Sequence, residues 1–217
     1  MIIEMMLSGF LFLFIIITNI ASGRFGYQTF SDLDADTKLQ TITNDPKKFQ
    51  ISVVLILIEH GSIIALVIML FIAFSSYNLI LAGVWTIFRV GEGLIQIYNK
   101  KNYWELLKIA RQSLGSSGAE ETALIDLSRR ILQSKNANFT LAQIFFSIGT
   151  LAYSVLFVTY GVVPPLIGWF GLVASILYGF GNGIILVKPN VKVLRNLGGL
   201  LILLFEIVLG GWLLFFY

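Results

Sequence analysis

Six long apolar runs occupy most of this chain and decide what it can fold into. They lie at roughly 5–22, 49–74, 77–98, 139–160, 165–187 and 197–217. A helix crosses the hydrocarbon of a bilayer with about 20 mainly apolar residues, and each run approaches or exceeds that length. Inside hydrocarbon every backbone N–H and C=O must be bonded within the chain, so such runs become helices. The expected fold is an all-α, polytopic membrane helical bundle of six transmembrane helices, forming a single transmembrane domain over residues 1–217.

Composition agrees. The chain is 57% hydrophobic and only 12% charged, with a mean hydropathy of +0.85, too few charges to cover a water-soluble surface. The first run has no basic n-region and no small-residue cleavage site, so it reads as a retained span rather than a signal peptide. There are no cysteines and one histidine, which excludes disulfides, thiolate metal sites and histidine-rich metal sites. The net charge is +3, and the basic residues are not interleaved with aromatics in a polar domain, so nucleic acid is not an expected partner. No nucleophile elbow, phosphate loop, metal-ligand pair or dinucleotide fingerprint occurs. No cofactor, metal or enzymatic activity is therefore expected from motifs.

The loops alternate in length. Tight turns follow runs two (Ser75, Ser76) and four (Gly161 to Pro164), pairing runs two with three and four with five as hairpins. The loops 23–48, 99–138 and 188–196 are longer and polar. They carry Arg24, Lys38, Lys47, Lys48, Lys100, Lys101, Lys108, Arg111, Arg129, Arg130, Lys135, Lys188, Lys192 and Arg195, leaving only Arg89 elsewhere among the 15 basic residues. The positive-inside rule puts these loops in the cytoplasm and both termini outside a cell membrane.

Loop 99–138 is patterned. Trp104, Leu107 and Leu114 follow one side of Tyr103–Leu114, with Gly115 as a stop. Ser117 and Glu120 form a capping-box pattern before Ala123, Leu124, Leu127 and Ile131. A short amphipathic helical pair is expected, lying on the cytoplasmic membrane face or against the bundle. In the first loop Asp32, Asp34 and Asp36 alternate as in a calcium loop, but Thr37 and Thr43 stand where such a loop needs Gly and Glu, and a solvated loop is the expectation.

Charged residues within the spans point to a site. They are Glu59 and His60, Arg89 and Glu92, and Glu206. An ionised residue at mid-membrane costs about 2.5–3.5 kcal/mol on insertion scales, so these need partners or a purpose. Arg89 and Glu92 are three residues apart on one helix face, shared by Trp85 and Gln96. Counted from the loop ends at 1.5 Å per residue, Glu59, Arg89, Glu92 and Glu206 lie at similar depth, about six to ten residues in. Thr18, Asn19, Gln143 and Asn182 fall toward the same ends. The expectation is a buried polar network, or a ligand or proton site, formed by Arg89, Glu92, Glu59, His60, Glu206 and Gln96 and open to the cytoplasm. Three carboxylates face one permanent cation, and all three ionised would leave two unbalanced negative charges, so at least one glutamate is expected to hold a proton or His60 to be charged; such a group could relay protons, bind a cationic group or serve as a static clip between helices. Glu59 and His60 are adjacent and point about 100° apart, so they need not share one site. In the fifth run Gly171, Ser175, Gly179 and Gly183 make a small-residue stripe for helix packing, within the chain or in a homodimer.

Two stretches carry a family resemblance. Gly83–Val84–Trp85–Thr86–Ile87–Phe88–Arg89–Val90–Gly91–Glu92 resembles the R-x-x-E span of a prokaryotic membrane family, domain of unknown function 4386. Val163–Pro164–Pro165–Leu166–Ile167–Gly168–Trp169–Phe170–Gly171–Leu172 is similar to that family's V-P-x-x-(I/L)-G-x-x-G-L pattern. With the hydrophobic layout, the resemblance covers most of 5–187. It implies a fold and no activity. Members of that family often carry basic residues in the turns after spans two and four; Phe74–Asn78 and Thr159–Pro165 have none here.

Three functions follow as expectations. The first is a structural, accessory or binding subunit, in contact with the lipid bilayer and with other membrane subunits or a second copy. The second is a small proton-coupled transporter with an intramembrane carboxyl site. The third is a membrane-embedded lipid-modifying enzyme. The lack of an obvious internal repeat weighs modestly against a typical carrier.

Overall fold

The computed structural model describes residues 2–27, 34–188 and 191–216, and these are helical with short connections. Six helices are long and apolar enough to span a membrane: α1 (Ile2–Arg24), α3 (Pro46–Phe74), α4 (Leu79–Gln112), α5 (Ala119–Tyr160), α6 (Pro165–Val187) and α7 (Val193–Phe215). A shorter helix, α2 (Ala35–Asn44), lies in the first loop.

Helix ends follow local chemistry. Asn78 caps α4 by accepting from the Leu81 N–H at 3.0 Å, and Asp45 caps α3 by accepting from the Lys48 N–H at 2.9 Å, ahead of Pro46 in the first turn. α5 stops at Gly161, whose φ of 62° is the left-handed conformation that glycine adopts without strain. Pro164 and Pro165 then start α6.

The spans form a closed ring. Each packs on its neighbours in sequence, and α1 closes the circle against α7. That closure is tight: a methyl group on Gly9 would lie 2.6 Å from the Gly210 carbonyl oxygen, so the two backbones meet where neither carries a side chain. The expected hairpins, α3 with α4 and α5 with α6, are both present.

The loops differ in detail from expectation. The helical pair in 99–138 is present, but its members are the ends of α4 and α5, which continue unbroken from the apolar spans, turn through Ser113–Gly115, and pack on α2. The Ser117–Glu120 capping box does not form: Gly118 occupies the cap position, without a side-chain cap bond. α2 was not expected. Asp34 caps it, accepting from the Thr37 N–H at 2.7 Å, a bond that holds the Asp34 carboxyl below the usual carboxylate range. Asp36 accepts from Gln40 at 3.1 Å, so both aspartates serve a helix, and Asp32 lies outside the described residues.

Two apolar clusters fill the ring. One occupies the half nearer the tight turns and includes Met5, Phe12, Leu66, Phe74, Trp85, Leu156, Phe157, Phe205 and Leu213. The other lies on the loop side and joins Tyr27, Leu39, Ile42, Phe49, Val53, Tyr103, Leu106 and Ile131.

Candidate functional site

Between these clusters lies a cavity of about 260 Å³ to which all six spans contribute. Asn19 comes from α1, Glu59 and His60 from α3, Arg89, Glu92 and Gln96 from α4, Gln143 and Phe146 from α5, Tyr178 from α6, and Glu206 from α7. Of the residues expected at this depth, Asn19, Glu59, Arg89, Glu92, Gln143 and Glu206 line one space together with His60 and Gln96, whereas Asn182 does not and donates to the Tyr178 carbonyl of its own helix. Depth could be counted from the sequence; the closing of the ring that brings α3 and α7 to the same space could not.

The geometry centres on Arg89. Its Nη1 lies 2.7 Å from Glu92 Oε2 on the same helix, and its Nη2 lies 4.0 Å from Glu206 Oε1 across the ring. Its guanidinium carbon stands 4.3 Å from the centre of the Phe146 ring, a cation–π contact. Arg89 and Glu92 are each 3% exposed, so their pairing offsets desolvation that neither would tolerate alone. Asn19 Nδ2 donates to both Glu59 oxygens at 3.1 and 3.3 Å, tying α1 to α3. Tyr178 donates to Gln143 Oε1 at 2.9 Å, tying α6 to α5.

His60 is different. It is 4% exposed, its Nδ1 is 3.9 Å from Glu59 Oε1, and neither ring nitrogen has a hydrogen-bond partner among the described residues. Gln96 Oε1 is likewise buried without a partner. Buried polar groups are usually satisfied, so two such side chains lining one cavity are what a ligand's donors and acceptors would meet. Among the described residues, no three His, Asp or Glu side chains converge closely enough to hold a metal ion.

Polar side chains continue from the cavity toward the loop side. Asn99 donates to the Lys135 carbonyl at 3.1 Å, Asn102 donates to Asn99 Oδ1 at 2.7 Å, and Lys100 donates to the Tyr27 hydroxyl at 3.1 Å. Lys38, Lys100 and Lys135 are buried around Tyr27, Phe49 and Tyr103, with ammonium-to-ring distances of 4.8 to 5.7 Å. The sequence reading places these lysines only as charges of the loops, not in the core. The signal was α2 itself: Ala35, Lys38, Leu39 and Ile42 are spaced as one buried helix face.

The small-residue stripe divides. A methyl group on Gly171 would lie 2.5 Å from both Phe205 Cζ and Ser154 Oγ, and one on Gly179 would lie 3.1 Å from Ser147 Cβ, so these positions pack within the chain. Ser175 is buried and bonds its own helix. Gly183 meets nothing within 4 Å and opens onto an apolar groove of about 740 Å³ between α5 and α6.

Among the described residues six helices are long and apolar enough to cross a membrane, which makes this a multi-pass integral membrane protein in contact with lipid. Over residues 7–216 it matches the family described as domain of unknown function (DUF4386), and the chain belongs to that family. Neither a curated protein nor a solved structure gives a match.

Proposed function

We propose that this protein binds a small polar solute inside the bundle and works as a small carrier in the cell membrane. The observation that carries this reading is the cavity itself, lined from all six spans, with Arg89, Glu92, Glu59, Glu206, His60 and Gln96 around it. A structural pair needs two helices; a space shared by the whole ring has the form of a site. Apolar packing lies on both sides of the cavity, but on the loop side alone it is interrupted by a column of buried polar side chains, Asn99, Asn102 and Lys100, and that column supports the loop side as the route to water. With those loops in the cytoplasm and both termini outside, as the distribution of basic residues indicates, the solute exchanges with the cytoplasm in this conformation. A glutamate that loses its proton as solute binds would couple transport to protons.

A second reading, an accessory subunit, is favoured by the open groove beside Gly183, into which a helix of a partner or of a second copy would fit. Native mass spectrometry of the protein gently extracted from its own membrane separates the two. A lone chain retaining a specific small molecule supports the carrier; a stoichiometric protein partner and no bound small molecule supports the subunit and contradicts the carrier.

A further inference from the structure

The cavity presents carboxylates, aromatic faces and buried polar atoms to one space. We propose that it takes a small organic cation bearing an ammonium or guanidinium group; this inference rests on the solute-binding reading above.

The first argument is charge. Glu59, Glu92 and Glu206 line the cavity, and Arg89 is the one permanent cation among the lining residues. Arg89 is already engaged by Glu92 at 2.7 Å, by Glu206 at 4.0 Å and by the Phe146 ring at 4.3 Å. Its positive charge is therefore shared with two carboxylates and a ring of the site, which weakens its pull on an anionic guest. Glu59 is held by a neutral amide, Asn19, and Lys100 is directed to the Tyr27 hydroxyl. A guest cation offsets the carboxylate charge that lipid surroundings disfavour.

The second argument is the remaining lining. Tyr27, Phe139, Phe146 and Tyr178 add aromatic surface to the carboxylates, and ring faces attract ammonium and guanidinium groups. His60, buried with both ring nitrogens unpartnered among the described residues, supplies directed polar contacts to the same space. Among the described residues no three acidic or histidine side chains converge to hold a metal ion, and the arrangement fits an extended organic cation better than a bare metal. At about 260 Å³ the cavity is smaller than pockets for drug-sized ligands, which restricts the guest to a few heavy atoms.

The test is thermal unfolding of the purified chain in lipid nanodiscs at matched ionic strength. The probes are methylammonium, guanidinium and 1,4-diaminobutane, with acetamide as neutral and acetate as anionic control. At saturation at least one cation should raise Tm by about 2–4 °C, and the controls should not. Glu206→Gln and Glu59→Gln, near-isosteric variants that guard against one failing to fold, should lose most of that rise. Asp36→Asn, on the exposed side of α2, should keep it. The proposal is overturned if no cation raises Tm, if acetamide or acetate raises it equally, or if the rise survives in both glutamine variants. A neutral or anionic small molecule retained in native mass spectrometry would discard the cation and leave the solute-binding reading standing.

Discussion

Arg89 crosses α5 directly above Gly149: a methyl group on that glycine would lie 2.6 Å from Arg89 Cγ, 3.0 Å from its Cδ and 3.3 Å from the Trp85 carbonyl oxygen. The arginine reaches the cavity because position 149 has no side chain. Gly149→Ala should therefore destabilise the fold by about 1–3 kcal/mol despite the better helix propensity of alanine, because the Cγ end of Arg89 and the α4 backbone have little room to yield. Gly183→Ala, where nothing stands within 4 Å, should be neutral or stabilising. Thermal unfolding of the two variants side by side checks the contrast; equal effects would contradict it.

Removing Arg89 leaves Glu92 and Glu206 facing one another's charge inside the bundle, without the cation between them. Arg89→Ala should cost about 3–5 kcal/mol, the usual penalty for breaking a buried pair, and Arg89→Ala with Glu92→Ala should recover part of that loss. Stability of the single variant equal to wild type would show that the pair carries no structural weight.

On the loop side, burial pushes the Lys38 ammonium down to about 8 from 10.5. The sign follows from which state holds the proton. Below about pH 8 both folded and unfolded chains carry it, and the fold bears the full cost of burying the charge. Between about 8 and 10.5 the folded chain has released the proton and the unfolded chain retains it, so stability rises with pH. The whole window is worth about 3 kcal/mol at most. Lys38→Met should remove this component and with it the repulsion that the Lys38 charge exerts on Lys135. The difference in Tm between variant and wild type should favour the variant most near pH 7 and shrink toward pH 10. A difference that is constant with pH would refute the burial account.

Much of the architecture was legible because hydrocarbon imposes one rule on every backbone group, and runs as apolar as those around Ile63, Leu156 and Leu209 have one solution. Depth could also be counted, which brought Glu59, Arg89, Glu92 and Glu206 to one level before any packing was known. What could not be counted was rotation and closure. That His60 faces the same space as Glu59 depends on how α3 turns within the ring, and Gly9 against Gly210 is a contact between the two ends of the chain. Local periodicity in 99–138 identified helices, but a repeat of 3.6 residues is the same whether a helix bends at the membrane surface or runs on, as α4 and α5 do. Lys38, Lys100 and Lys135 read as solvated charges because their aromatic surroundings, Tyr27, Phe49 and Tyr103, come from three separate parts of the chain.

The central claim is that a polar cavity inside the bundle exchanges with water on the loop side. The chain has no cysteine, so single cysteines can be read without a background. Ile202 lines the cavity, whereas Leu200, two residues away on α7, is 54% exposed on the outer surface of the bundle and lines no part of the cavity. The measurement is labelling of Ile202→Cys and Leu200→Cys with a small, membrane-impermeant cationic thiol reagent, in inside-out and right-side-out vesicles. The account predicts that Ile202→Cys reacts from the cytoplasmic face, that excess 1,4-diaminobutane slows the reaction, and that Leu200→Cys stays unlabelled from either face. Failure of Ile202→Cys to react from the cytoplasmic face, or labelling of both positions alike, would contradict it.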